Sequence, residues 1–343
     1  MVLPRSHGPR RPTIYDVAKL AGVSHQAVSR QLRGLSGVSP ATGARIEAAA
    51  VELGYRPNQV ARALATNSSR RIGALVFDLG EAGPAKIVEG AAAAARESGY
   101  VLDFISVEQN APASIDAALK VLLDQDLAGI FAVGPSDVLN DRVHPDAFPI
   151  PVYFESEALD SPTDEPLSLN GRGAAIAMDA LIRAGHRRIG HIAGPTAWAS
   201  AENREIAYRR MVSERGLPEL PVSRGDWSAR SGYEAGLAWP LELGATALFV
   251  ANDQMALGVL RALHERGIAI PGEMSVVGFD DIPEAEFMWP PLSTVRLDFV
   301  DQGRRRLLAL IDEIEGRTPA PTTHVGRIEL IERASIAAPA AIL

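Results

Sequence analysis

Cysteine is missing from all 343 residues, which excludes a disulfide framework and any metal held by thiolates. The seven histidines are scattered without ligand-like spacing, so no metal site is expected from them either. No apolar run is long enough to span a bilayer, and the basic, Pro-rich first residues lead into no apolar stretch of the kind a secretory signal needs. The expectation is a cytoplasmic protein with no membrane contact and no cofactor. Enzyme signatures are equally thin. There is no phosphate-binding P-loop, no G-x-S-x-G elbow, no H-E-x-x-H pair and no nucleophile with a plausible base. Gly171-Arg172-Gly173 matches part of a dinucleotide fingerprint, but the third glycine is missing and no strand closely precedes it; packing at a helix start accounts for it better. A non-enzyme is expected.

What the chain does have is an uneven charge distribution. The whole carries −8, a weak argument against nucleic acid as a partner. Up to Arg70, however, ten basic residues stand against three acidic ones, a surplus of seven positive charges that leaves −15 on the remainder. A basic head on an acidic body is the electrostatic footprint of a small DNA-binding module. Residues 1–11 read as a disordered basic arm.

The head packs three helices into about sixty residues. Thr13 can cap the first, with Asp16 three positions on. Val17, Leu20 and Ala21 supply its apolar face, and Gly22 makes a tight turn. A second helix opens at Ser24; Ala27, Val28 and Leu32 recur at helical spacing and face inward, leaving His25, Gln26, Ser29 and Arg30 outward. Ser39 starts a third helix, Pro40 to Leu53, ended by Gly54. The bland alternative is a generic helical domain. The coincidence of a tight turn with an outward polar set favours a helix-turn-helix, whose second helix lies in the major groove of DNA. Residues 57–65 follow as a short potential helix capped by Asn58, too short to be stable alone, so it forms only when a partner helix or DNA holds it; otherwise it is a linker.

From Arg71 the pattern becomes strand–helix alternation. Strands are expected at 72–77, 101–107, 129–133 and 152–154, with helices at 85–99 and 114–125 between them. After a polar, Pro-rich stretch at 155–168, which reads as a crossing between two lobes, the alternation restarts. Helices are expected at 172–184, 202–215 and 254–266, and strands at 188–193, 247–250 and 275–279. Such alternation means parallel sheets covered on both faces, so the fold class is α/β. Ligands of these folds sit in the crevice at the carboxyl ends of the strands. Phe77-Asp78, Asn252-Asp253 and Asp280-Asp281 all lie just past strand ends. Adjacent residues there point different ways, so Asp280-Asp281 is expected to supply one ligand-facing and one structural carboxylate. His186 and His191 flank a strand and read as packing or surface residues.

Specific motifs recur along nearly the whole chain. They include Tyr15-Asp16-Val17-Ala18, Ala21-Gly22-Val23-Ser24, Val28-Ser29-Arg30 and Gly54-Tyr55-Arg56-Pro57-Asn58. Farther on come Gly185-His186-Arg187-Arg188-Ile189, Gly225-Asp226-Trp227-Ser228-Ala229, Val250-Ala251-Asn252-Asp253-Gln254-Met255, Ser275-Val276-Val277-Gly278-Phe279-Asp280-Asp281 and Pro290-Pro291-Leu292-Ser293-Thr294. In these the sequence resembles the lactose/galactose (LacI-type) repressor family from about Pro12 to about Arg333. The resemblance implies a headpiece over 12–57, a hinge helix and linker over 58–69, and a two-lobed core like periplasmic binding proteins. It places the first lobe at 70–166 and 294–324, the second at 167–293 and 325–335, and a short tail at 336–343. It implies a homodimer on near-palindromic double-stranded operator DNA, released or retained according to a small-molecule sugar.

On that resemblance His25, Gln26 and Arg30 read bases. The chemistry agrees, since Gln pairs adenine and Arg pairs guanine in bidentate fashion. Ser24, Ser29 and Asn58 would contact phosphates, Tyr15, Arg33 and Ala61 complete the DNA-facing set, and Leu64 falls where the family wedges an apolar side chain into the minor groove. The alternative for Leu64 is packing between hinge and core. In the core, Arg204, Trp227, Asn252 and Asp280 match effector positions. Arg204 can fork to two hydroxyls, Asp280 and Asn252 can bond others, and Trp227 offers a flat face to the C–H side of a pyranose. Trp227 alone would read as a core tryptophan. Pro84, Ile87 and Phe299 match apolar lining positions, and Phe77 and Glu81 join the expected ligand contacts.

The departures from the family's lactose branch are informative. Glu81 stands where that branch is apolar and Leu297 where it is polar; either Glu155 or Ser156 occupies the carboxylate position near the lobe crossing. His25 replaces a tyrosine and Arg33 an asparagine, so a different operator is expected. The end of the chain carries no heptads, which leaves a dimer as the expected assembly. A galactoside-released repressor is the expected function. A corepressor-activated regulator, and a sugar-binding protein without a DNA role, are the alternatives.

Overall fold

The structure, a computed structural model, describes residues 12–32, 36–55, 69–107, 112–134, 148–155, 158–164, 168–318 and 326–340. The chain divides into two compact units, Met1–Ser69 and Arg70–Leu343.

The first unit contains three helices, α1 (Ile14–Ala21), α2 (His25–Leu32) and α3 (Pro40–Glu52). Asp16 accepts hydrogen bonds from the Thr13 backbone N–H and hydroxyl, both at 2.7 Å, the reciprocal half of a capping box at the start of α1. Gly22 ends α1 at φ +65°, a left-handed conformation that costs glycine nothing, and Ser24 accepts from the Ala27 N–H to start α2. Val17, Ala18, Ala21, Val28, Ile46 and Ala49 form the small core. Leu20 is a correction: it is 45% exposed, because the buried stripe of so short a helix is set by Val17, Ala18 and Ala21 and Leu20 falls on its flank.

The second unit holds two sheets. The first is four-stranded and parallel in the order β2-β1-β3-β4, with β1 at Arg71–Phe77, β2 at Val101–Val107, β3 at Gly129–Val133 and β4 at Val152–Glu155. Helices α4 (Ala82–Glu97) and α5 (Pro112–Leu123) connect its strands. The other sheet is six-stranded. It is built from β5 (Ile189–Ala193), β6 (Val222–Arg224), β7 (Ala247–Val250), β8 (Ser275–Phe279), β9 (Ser293–Leu297) and β10 (Ile328–Ile331) in the order β10-β9-β8-β7-β5-β6. Helices α6 (Leu169–Arg183), α7 (Ala199–Glu214), α8 (Ala229–Ala238) and α9 (Asp253–Glu265) belong to it, and α10 (Phe299–Ile314) returns to pack on the four-stranded sheet. The strands β1, β3, β5, β7 and β8 are buried almost throughout, as parallel strands covered on both faces must be. The α/β class and the parallel sheets are as expected, except that β10 runs antiparallel to β9.

Three differences bear on the site. Helices α4, α6 and α7 start three residues earlier than the pattern suggests. Gly83-Pro84 and Gly171 read as breakers in sequence, yet they sit in first turns, where N–H groups are unpaired and proline is tolerated; Ser168 caps α6 by accepting from the Gly171 N–H at 2.8 Å. Strand β9 hydrogen-bonds to β8 and β10, so residues 294–297 lie in the second sheet although the resemblance set the boundary of the first lobe at 294. Finally, the tail is anchored: the Ala337 carbonyl lies 2.9 Å from the His186 ring and 3.2 Å from the Ser275 hydroxyl. His186 and His191 are both buried, His191 stacked on Tyr208 and Phe249, which places them as packing residues.

Two helices meet through glycine. A Cβ on Gly90 of α4 would come within 1.9 Å of the Val300 carbonyl oxygen, and one on Gly303 of α10 within 1.9 Å of the Ile87 carbonyl oxygen. This close crossing brings the starts of α4 and α10 together at the carboxyl edge of the four-stranded sheet.

Candidate functional site

In the headpiece, His25 and Gln26 lie exposed on the first turn of α2, beside exposed Ser24 and half-buried Ser29. Tyr15 reaches across from α1, 65% exposed, with its ring 5.1 Å from that of His25. Four of the expected DNA-facing residues thus share one exposed surface around the start of α2. Arg30 is exposed too, but engaged: its Nε and Nη2 donate to the Ser36 carbonyl at 3.1 and 2.6 Å, bracing the turn before α3. Arg33, Asn58, Ala61 and Leu64 lie outside the described residues, as does the whole expected hinge helix.

In the core, a cleft of about 90 Å³ opens between the carboxyl edges of the two sheets. That is well above the roughly 10–15 Å³ that admits a single water, so the cleft has room for a small ligand. The first lobe contributes Glu81, Pro84 and Ile87 from the start of α4, the end of β3 at Val133-Gly134, and Phe299 and Gln302 from α10. The second contributes Asn170 of α6, Arg204 and the first turn of α7, Trp227, Asn252 and Asp280. Eight of the ten expected ligand residues are therefore together. Phe77 is the correction. Its ring is fully buried in a core cluster under Gly134, where even a Cβ would come within 2.3 Å of it, so Gly134 lines the cleft and Phe77 supports it from below. The side chain of Glu155 is not among the described ones, and Ser156 lies outside them; the Glu155 backbone pairs with Val133 at the cleft edge.

Arg204 organises the floor. Its Nε donates to Asn170 Oδ1 at 2.9 Å, Nη2 to Asp280 Oδ1 at 3.3 Å and Nη1 to the Ala251 carbonyl. The guanidinium carbon lies 3.9 Å from the Phe279 ring centroid and 5.3 Å from that of Trp227. Burial pushes the Asp280 carboxyl up and the charge of Arg204 pulls it back down. Asp280 and Asp281 divide their roles as the sequence suggests. Asp280 faces the cleft, whereas Asp281 is spent on Arg296 at 2.5 Å and Arg333 at 2.8 Å. Both sit at positive φ, at +103° and +48°. Lys86 of α4 donates to their two carbonyls at 3.1 and 3.3 Å, tying the first lobe to the strand end of the second.

Trp227 adopts φ +76° and covers Gly194. Asn252 holds it there: its Nδ2 donates to the Trp227 carbonyl at 3.0 Å, while its Oδ1 caps α9 through the Met255 N–H at 2.9 Å. Asn252 thus positions the tryptophan with the groups expected to meet ligand. Sequence reasoning missed Asn170, Trp198, Ser200 and Gln302. Each sits in the first turn of a helix or just before one, and tertiary packing of those helix starts, which no local pattern reports, brings them to the cleft.

Glu81 sits at the N-terminal cap position of α4 and faces the cleft. Its Oε2 is buried and accepts no hydrogen bond. Burial first, then the charges of Asp280, Asp78 and Asp226, push its carboxyl up to about 7.

This geometry has relatives. Residues 13–58 match the family of bacterial regulatory proteins named lacI, and residues 178–336 match a periplasmic binding protein-like domain. The lactose operon repressor of Escherichia coli (strain K12) is 32% identical over 330 residues, covering 95% of this chain and 91% of that protein. The lac repressor dimer bound to operator and the anti-inducer ONPF superimposes with a TM-score of 0.79 at 31% identity, covering 96% of this chain and 100% of that one. The complex of the regulator CelR with cellobiose gives a TM-score of 0.67 at 29% identity, covering 95% and 100%.

Proposed function

This chain belongs to the LacI family of bacterial regulatory proteins, and from that premise we propose that it is a dimeric, cytoplasmic repressor that leaves its operator when a sugar fills the core cleft. The convergence of Arg204, Asp280 and Trp227 from three separate elements on one cleft carries the reading. Fixed hydrogen-bonding groups opposite a flat aromatic face suit a pyranose, whose hydroxyls lie around its rim and whose C–H groups lie on its faces. The sugar is a galactoside in the simplest case, since the lactose operon repressor is 32% identical over 95% of this chain.

The headpiece reads DNA through α2. His25 and Gln26 meet base edges, Ser24 and Ser29 meet phosphates, and Tyr15 supports His25 from α1. Arg30 exchanges the Ser36 carbonyl for a guanine when DNA arrives. Residues 58–69 form the hinge, and Leu64 its minor-groove wedge. Ligand closes the two lobes on each other, and the hinge helices lose the packing that keeps them folded. Sugar and operator favour different states, so each weakens the other's binding by the same factor.

The test is fluorescence anisotropy on DNA from upstream of the protein's own gene, titrated with galactosides, glucosides, free hexoses and purines. Release by a sugar supports the reading and a galactoside alone refines it. Tightening by any compound makes the protein a corepressor-activated regulator, and absence of sequence-specific binding overturns the DNA role.

A further inference from the structure

The cleft contains one feature that a neutral sugar does not explain. Of the carboxylates around it, Asp280 is matched by Arg204 and Asp226 by the backbone N–H and hydroxyl of Ser228. Glu81 faces the cleft with a buried Oε2 and no donor. Arg204 is the one Lys or Arg lining the cleft among the described residues, and each of its three nitrogens already donates within the floor, to Asn170, Ala251 and Asp280. Lys86 points instead at the Asp280 and Asp281 carbonyls. The groups whose charges bear on Glu81 are Asp280, Asp78 and Asp226, all of its own sign. With Glu81 ionised the cleft therefore holds a negative charge whose Oε2 is shielded from water and meets no protein donor.

Resting on the reading of the cleft as the effector site, we propose that Glu81 is its specificity-determining residue and that the effector is a sugar derivative carrying a protonated amine, an amino sugar or an aminoalkyl glycoside. An ammonium group supplies up to three donors and a compact positive charge. Placed against Oε2 it satisfies the buried oxygen and relieves the repulsion from the three aspartates, while Arg204, Asp280 and Trp227 hold the ring as they would hold any pyranose. A neutral sugar leaves Glu81 either charged without a counter-ion, at a desolvation cost, or protonated. The two ligand classes therefore respond oppositely to pH. An amine that stays charged binds more tightly as Glu81 ionises through neutrality, and a neutral sugar binds less tightly.

Isothermal titration calorimetry on the full-length protein tests this. The ligands are galactosamine, glucosamine and the 2-aminoethyl galactoside and glucoside, each beside its N-acetyl form, with galactose and glucose. The charged member of one pair should bind at least tenfold more tightly than its acetylated form, and its affinity should rise from mildly acidic to mildly alkaline buffer for the alkyl amines. Glu81→Gln, checked for folding by its melting curve, should erase the preference between the pair. Equal or tighter binding of the acetylated or neutral forms, or an unchanged ratio in Glu81→Gln, overturns the proposal. If neutral sugars bind and release operator while the amines do not, the repressor reading survives and the amine fails. If no sugar in the panel binds, both fall together.

Discussion

Arg204 and Asp280 meet at 3.3 Å on the floor of the cleft, with 5% and 7% of their side chains open to water. Such a pair contributes little net stability, because desolvation offsets most of the attraction, yet removing one partner strands the other. Arg204→Ala should destabilise the core by about 3–5 kcal/mol, in the range of broken buried pairs. Asp280→Asn keeps the volume but removes the acceptor charge that a sugar hydroxyl would use, and should weaken effector binding by about 1.5–3 kcal/mol. Thermal melts and titration of the intrinsic tryptophan fluorescence separate the two effects. A melting point unmoved by Arg204→Ala would show that the pair is not buried in solution, and full effector affinity in Asp280→Asn would remove Asp280 from the site.

Arg30 is the sharpest test of the headpiece, because it is tied to Ser36 in the free protein. If it reads guanine, Arg30→Gln should cost about 1–3 kcal/mol against the preferred operator and relax selectivity at one base pair of each half-site. If it only braces the turn, the variant should bind every sequence equally less well. Anisotropy on the parent operator and on single-base variants decides between them.

The strand–helix alternation and the groups at strand ends were legible in sequence because period, burial and glycine punctuation agree there. Arg204, Trp227 and Asp280 all line the cleft. Phe77 misleads because the last residue of a strand has its side chain on one face of the sheet, and nothing local says that Gly134 would roof it over. Asn252 shows the same limit in a subtler form: its amide is suited to a sugar, but both of its ends hold Trp227 and the start of α9. Asn170 and Gln302 could not be found, since what brings them to the cleft is tertiary packing of α6 and α10. The crossing of β9 into the second sheet is likewise a matter of strand pairing, which a buried strand's own residues do not specify.

The contact of α4 with α10 depends on Gly303, and that contact delivers Pro84, Ile87, Phe299 and Gln302 to the cleft. Gly303→Ala places a methyl against the Ile87 carbonyl, a backbone atom that can yield only by moving the helix. The expected cost is about 1–3 kcal/mol, with weaker effector binding as the cleft edge spreads. Gly272→Ala, where the nearest atom is 3.7 Å away, should stay within about 0.5 kcal/mol. Equal melting points for the two variants would mean that α4 and α10 do not pack this closely.

His191 should make the core acid-sensitive. It is fully buried between the Tyr208 and Phe249 rings, its Nδ1–H donates to the Phe249 carbonyl at 2.9 Å, and its Nε2 accepts nothing. Burial lowers its pKa from 6.5 to about 4. Between those values the unfolded chain takes up a proton that the folded chain refuses, so this residue's stabilising contribution, complete above about pH 6.5, is lost as the pH falls to about 4. The loss amounts to about 3 kcal/mol at 1.36 kcal/mol per unit. Asp253 and Glu81, both raised to about 7, act in the opposite sense over this window, because their folded forms bind protons first. The total slope therefore mixes signs, and the informative quantity is the difference between wild type and His191→Phe. That variant keeps the aromatic stack and forfeits one hydrogen bond at every pH. Urea denaturation from pH 4 to pH 7 should show the wild type losing stability relative to the variant as the pH falls, and parallel curves would mean that His191 protonates without opening the core.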